Sequence, residues 1–174
     1  MSCPSVQIRQ GASTLTIAPP GQNSAMSLKY QGSFLRAARQ CTVVGGNMVM
    51  KIGVEGRIIV GPAGGPGEVD VPLRIAIVHE TPAGTTPIVT KFIPIPVAVT
   101  STDRPTPFSH IEETMSFPLP TSAVTLDDYK VYVGFDPLTA EMSKQKAKHT
   151  LRPRRRLQTK RPSKATTKRP ASTD

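Results

Sequence analysis

The sequence predicts an all-β protein: a single antiparallel β-sandwich of immunoglobulin-like size, followed by a disordered basic C-terminal tail. Eighteen prolines and thirteen glycines among 174 residues favour turns and disfavour long helices. Roughly eight or nine short strand candidates follow one another without helices between them. Aromatic residues make up 5% of the chain and tryptophan is absent, so the core must consist mainly of Val, Ile, Leu and Met.

The first strand candidates are short, and one of them is ambiguous. They are VQIR, STLTI, MSLKYQG and SFLRAARQCTVV, and the last could also form a short helix. The next candidate, MKIGVEGRIIV, carries Ile52, Val54, Ile58 and Val60 on even positions. This alternation predicts a strand with one buried face.

The run GPAGGPG at residues 61–67 resembles a phosphate-binding loop in composition only. A nucleoside-triphosphate loop would need Gly-Lys and a hydroxyl residue where Pro66, Gly67 and Glu68 stand. A dinucleotide loop would need a third glycine where Asp70 stands, and it would open a helix. Instead EVDVPLRIAIV alternates as a strand, so we expect residues 61–67 to form an exposed hairpin loop without phosphate affinity.

The remaining candidates complete the sandwich and set its boundary. They are PIVTKF, VAVT, HIEETMSF and YKVYVGF. Pro94 and Pro96 cannot donate ladder hydrogen bonds, so IPIPVAV is expected at a sheet edge. The last strand closes at Asp136-Pro137, which predicts a β-sandwich domain over residues 1–137 and a linker with a disordered Lys/Arg/Pro-rich tail over 138–174.

The net charge of +10 divides unevenly along the chain. Residues 1–142 hold ten bases and eleven acids, a charge of −1, whereas residues 143–174 hold twelve bases and one acid, a charge of +11. Such a tail is expected to bind polyanions electrostatically, although a solubilising tail without a dedicated partner has the same composition. The predicted polyanion-binding residues are Lys144, Lys146, Lys148, Arg152, Arg154, Arg155, Arg156, Lys160, Arg161, Lys164, Lys168 and Arg169.

Catalytic and metal-binding patterns have little support. The chain lacks a Gly-x-Ser-x-Gly elbow, and no Cys–His pair has a third group to orient it. The best constellation is His110 with Glu112 on one strand face, joined by His79 and Glu80 if these lie on a neighbouring strand. Solvated strand faces commonly carry such residues. We therefore expect no enzyme activity, no metal site and no cofactor.

Five blocks of the chain resemble an uncharacterised family of small exported proteins of alphaproteobacteria. The blocks are CPSVQIRQGASTLTI, IGVEGRIIVGPAGGPGEVDVPLRIAIV, FSHIEE, SFPLP and DDYKVYVGFDP, and the resemblance spans about residues 3–137. Members usually carry lipoprotein-type or Sec signals and have no known catalytic residues. The resemblance therefore implies a periplasmic or outer-membrane-associated location. The opening MSCPSVQ has neither the charged nor the apolar region of a signal peptide, and the sequence contains no transmembrane segment.

Three chemical states are considered for the two cysteines, Cys3 and Cys41. The even count and the resemblance to exported proteins favour a disulfide, which is stable in an oxidising compartment. Closing such a loop stabilises a fold by about 4 kcal/mol through chain entropy. The alternatives are two unrelated thiols or lipidation of Cys3.

These observations leave three function classes. The first is a non-catalytic envelope protein whose tail binds anionic envelope polymers or lipid headgroups. The second is a cytoplasmic protein that associates with nucleic acid through the tail, although residues 143–174 have no aromatic side chain for base stacking. The third is a metal-dependent enzyme.

Overall fold

Two four-stranded sheets pack face to face in the computed structural model, which describes residues 2–120 and 126–136. The strands are β1 (Ser5–Ile8), β2 (Thr14–Ile17), β3 (Tyr30–Val44), β4 (Asn47–Val60), β5 (Gly67–Thr81), β6 (Gly84–Val99), β7 (Thr106–Pro118) and β8 (Tyr129–Phe135). Two single turns of 3₁₀ helix, Ala25–Ser27 and Leu126–Asp128, complete the described elements. The predicted β-sandwich is confirmed. The expected tail over 138–174 lies outside the described residues.

The first sheet has the strand order β1-β8-β5-β6, and the second has the order β2-β3-β4-β7. All neighbouring pairs are antiparallel except β1 and β8, which run parallel. The chain leaves β1 in the first sheet and reaches β2 in the second within residues 9–13. The two sheets are therefore joined close to the N-terminus.

Five strands are longer than the sequence predicted. β3 to β7 contain 13 to 16 residues each, and β6 unites the candidates PIVTKF and VAVT. SFLRAARQCTVV lies wholly within β3, so its helical alternative is wrong. Its partner β4 pairs with it along the full hairpin, which turns at Gly45 and Gly46 with φ values of 56° and 79°.

The expected hairpin around residues 61–67 is wrong. β4 belongs to the second sheet and β5 to the first, so the Gly-rich run is a crossover between sheets. The Gly61 N–H donates to Lys29 O at 2.8 Å and the Ala63 N–H donates to Leu28 O at 3.0 Å. A Cβ on Gly64 would lie 2.0 Å from Lys29 O. Gly61 and Gly64 therefore let two backbone segments approach closely.

The core lies between the sheets and follows the predicted alternation. In β5 the odd positions 69–77 are all buried, and in β8 positions 131, 133 and 135 are buried. In β4 the inward side chains include Ile52, Val54 and Ile58, whereas Val60 is half-buried. The same face of β4 carries Met48 and Met50, both essentially inaccessible to solvent.

Three phenylalanines join the sheets at one end of this core. Phe34 stacks on Phe135 with ring centroids 4.0 Å apart, and Phe108 meets Phe135 edge-on at 6.3 Å. Gly56 lies beside this cluster, and a Cβ there would be 2.2 Å from Cζ of Phe108. The absence of a side chain at position 56 therefore creates the space that Phe108 fills.

The expected edge position of Pro94 and Pro96 is confirmed, because β6 is the last strand of the first sheet. The Asp136 N–H donates to Pro72 O, so the polar backbone groups of Pro72 face β8 and turn away from β6. Since Pro72 pairs with Pro94, the nitrogen of Pro94 faces the free edge, and the same parity applies to Pro96. Two positions that would carry free donors therefore carry none.

Candidate functional site

All twelve predicted polyanion-binding residues lie outside the described residues. Within residues 2–120 and 126–136, five Lys or Arg side chains pair with carboxylates. The pairs are Arg36–Glu55, Lys51–Glu113, Arg74–Asp136, Lys91–Glu112 and Lys130–Glu80. These pairs include half of the ten bases of residues 1–142, whose net charge is −1.

A polar cluster on the outer face of the first sheet centres on Glu80. Its Oε2 accepts a hydrogen bond from Lys130 Nζ at 2.5 Å, and its Oε1 accepts one from the Tyr132 hydroxyl at 2.5 Å. Lys130 and Tyr132 share this face because they alternate with the buried Val131 and Val133 of β8. The guanidinium of Arg9 lies 5.5 Å from the centre of the Tyr132 ring, within the range of a cation–π contact.

The cluster borders an open groove of about 490 Å³. The groove is lined by Gln7, Ile8, Arg9, Gln10, Glu80, Thr85 and Tyr132. Hydrogen bonds from Lys130 and then Tyr132 lower the pKa of Glu80, and the bond to Glu80 raises the pKa of Tyr132. Glu80 is therefore ionised at neutral pH with both oxygens occupied, which makes it a poor general acid or base.

A second charged group lies where β6 and β7 face each other across the sandwich. Glu112 is only 5% exposed, and its Oε2 is 2.8 Å from Lys91 Nζ of the opposite sheet. The N–H and hydroxyl of Thr114 donate to Glu112 Oε1 at 2.8 and 2.5 Å. Burial alone would raise the pKa of Glu112, but the bonds from Lys91 and Thr114 outweigh it and hold the pKa at about 2.

The residues considered for a metal site are not brought together. His110 and Glu112 lie on β7 in the second sheet, whereas His79 and Glu80 lie on β5 in the first, so the expected neighbouring strands are in different sheets. His110 Nε2 is 3.8 Å from Glu112 Oε2, but His79 stacks on Tyr129 elsewhere. Among the described residues, no three His, Cys, Asp or Glu side chains form a group that could hold a metal ion.

Cys3 and Cys41 are joined by a disulfide with an S–S distance of 2.05 Å. Of the three states considered for these residues, the structure contains the disulfide. Cys41 lies in β3 of the second sheet, and Cys3 lies two residues before β1 of the first sheet. The bond therefore fixes the start of β1 to the opposite sheet.

Sequence reasoning missed both charged clusters. Glu80 and Lys130 are 50 residues apart, and Lys91 and Glu112 belong to different sheets. Only one signal was available for Glu112: in an extended strand it lies on the same face as His110 and the apolar Phe108, which is unusual for an exposed carboxylate.

Comparisons with protein-family models, with curated proteins and with solved structures found no match to this chain. In the part of the chain that the structure describes, no helix has the length and apolar character needed to cross a membrane.

Proposed function

We propose that this protein is a non-catalytic cell-envelope protein whose basic C-terminal tail binds anionic envelope polymers or lipid headgroups. The observation that carries the proposal is the division of charge. Residues 143–174 hold twelve bases and one acid, whereas residues 1–142 sum to −1. Binding through counterion release needs this density of charge and no particular fold.

The described sandwich supports a non-catalytic role. Glu80 and Glu112, the carboxylates at the centres of the two charged clusters, have lowered pKa values because cationic and hydroxyl donors occupy their oxygens. A general acid or base at neutral pH needs a pKa near 7 and a free position for substrate. Neither carboxylate meets these requirements.

Two observations support the envelope as the location. The chain resembles small exported proteins of alphaproteobacteria over about residues 3–137. The Cys3–Cys41 disulfide in addition fits an oxidising compartment such as the periplasm. Lipopolysaccharide phosphates, anionic lipid headgroups and peptidoglycan carboxylates are the polyanions available there.

The test compares three full-length proteins in a binding assay with lipopolysaccharide micelles and with anionic and zwitterionic vesicles. In the first variant all twelve tail bases are replaced by Gln, and in the second the order of residues 143–174 is scrambled at constant composition. We expect the scrambled tail to bind anionic surfaces as the wild type does, and the Gln tail to lose binding. Undiminished binding by the Gln-tail protein would refute the proposal.

The nucleic-acid alternative is separated by location. Fractionation of cells that express the gene from its own upstream sequence should place the protein in the envelope fraction. Recovery with the nucleoid or ribosomes would favour the runner-up, because the same tail would then meet DNA or RNA first. Competition between duplex DNA and lipopolysaccharide in vitro does not distinguish the envelope function from the nucleic-acid function, since both ligands are polyanions.

A further inference from the structure

Strand β1 shields the edge of β8, and one covalent bond fixes its start. β1 is four residues long, and its pairing partner is β8, with Ser5 opposite Lys130 and Ile8 opposite Val133. Without β1, the other side of β8 would present an unpaired row of N–H and C=O groups. Such a row is a template for another strand.

Backbone geometry identifies which groups β1 covers. The Arg9 N–H donates to Val133 O at 2.8 Å, and the Phe135 N–H donates to Ala12 O at 2.8 Å. Residues 131 and 133 of β8 therefore face β1, and residue 135 faces Ala12 beyond the end of β1, whereas residues 130, 132 and 134 face β5. Two sets of amides on one strand thus report separately on the two neighbours.

The disulfide that holds β1 lies beside an open groove of about 560 Å³. The groove is lined by the two cysteines and by Ser2, Arg39, Gln40, Thr42, Val43 and Met48. Both cysteines are only half-buried, so a thiol reductant can approach the sulfur atoms from solvent. The hydrogen bonds made by residues 2 and 3 are exposed to solvent: the Ser2 hydroxyl donates to Asp127 Oδ1 at 2.9 Å, and Arg39 Nη2 donates to Cys3 O at 3.3 Å.

We propose that the Cys3–Cys41 disulfide is a latch: its reduction releases β1 and opens the β8 edge to the residue 2–8 segment of a second copy of this chain. A dithiol supplies two electrons and two protons, the S–S bond breaks, Cys3 and Cys41 become thiols, and the dithiol closes its own disulfide. The incoming segment is the one that already matches this edge in sequence and register. Exchange of an identical element between copies needs no new interface.

The first experiment measures amide hydrogen exchange by NMR on the full chain, with and without dithiol. The chain has two cysteines, so the reductant acts on this bond alone. We expect the amides of Val131 and Val133 to exchange at least about tenfold faster after reduction, a change of about 1.4 kcal/mol in opening free energy. Lys130, Tyr132 and Gly134, which face β5, should keep their protection.

Two outcomes would contradict the proposal that the disulfide holds β1 in place. Unchanged exchange at Val131 and Val133 would show that β1 stays in place without the disulfide. Loss of protection at all five of these β8 amides would show that the disulfide holds the whole fold and not one strand. The full-length Cys3→Ser variant repeats the measurement without reductant and should match the reduced protein.

The second experiment identifies the occupant with a labelled peptide of residues 2–10 that carries Ser in place of Cys3. We expect saturable binding to the reduced protein and none to the oxidised protein. A Gln7→Pro peptide should bind at least about tenfold more weakly, because the backbone N–H of residue 7 faces β8 and proline lacks it, while a Gln7→Ala peptide serves as the matched control. Equal binding of the Pro and Ala peptides, or binding to the oxidised protein, would refute strand addition at this edge.

Discussion

Glu112 points into the sandwich as an ionised carboxylate, and its charge has a consequence for stability. Its pKa of about 2 lies below the ordinary value of 4.5, so the folded state holds the proton less tightly than the unfolded state does. The stabilisation is therefore fully present above about pH 4.5 and is lost as the pH falls towards 2. An inward charge on β7 also disfavours pairing of this edge strand with another chain.

Replacement of Glu112 by Gln should reduce the acid sensitivity of the fold. The wild type should lose about 1–2 kcal/mol of unfolding free energy through Glu112 between pH 7 and pH 3, and the variant should not, since Gln has no proton to gain there. Urea unfolding at the two pH values measures the difference. Glu113→Gln is the matched control, because Glu113 is 62% exposed and its pair with Lys51 is expected to contribute less than about 1 kcal/mol. An equal pH dependence for Glu112→Gln and wild type would contradict this account.

The strand β6 protects the free edge of the first sheet with prolines. Replacing both Pro94 and Pro96 by Thr would restore two N–H donors on that edge. We expect the double variant to unfold within about 1 kcal/mol of the wild type but to associate faster, as followed by light scattering at high concentration. Ala98→Thr is the control, since position 98 is exposed on the same strand and already has an N–H. Equal association of the double variant and the control would show that the prolines do not protect this edge.

At the scale of elements, the sequence predicted which face of each strand is buried better than it predicted which strands are neighbours in a sheet. Alternation of Val69 to Ile77 determines which side chains are buried, because the pleat has a period of two. The partner of β5 depends on how the chain crosses between sheets, and a loop such as 61–66 suits a hairpin or a crossover equally well. The Glu80–Lys130 pair could not be predicted from the sequence for the same reason, because it depends on β8 lying beside β5.

The whole molecule combines a nearly neutral sandwich with a tail of +11 charge, and this contrast predicts how it binds. If about six of the twelve tail bases engage duplex DNA, raising the salt from 50 to 200 mM should weaken binding on the order of a thousandfold. Heparin, lipopolysaccharide and DNA should compete according to charge density, because residues 143–174 have no aromatic side chain to stack on a base. The Gln-tail variant should lose the salt-dependent binding but keep the thermal midpoint of the wild type, since the described core is built entirely from residues 15–135. Tight binding that persists at high salt, or that survives in the Gln-tail variant, would instead assign recognition to the sandwich, where the groove beside Glu80 and Tyr132 would be the first surface to mutate.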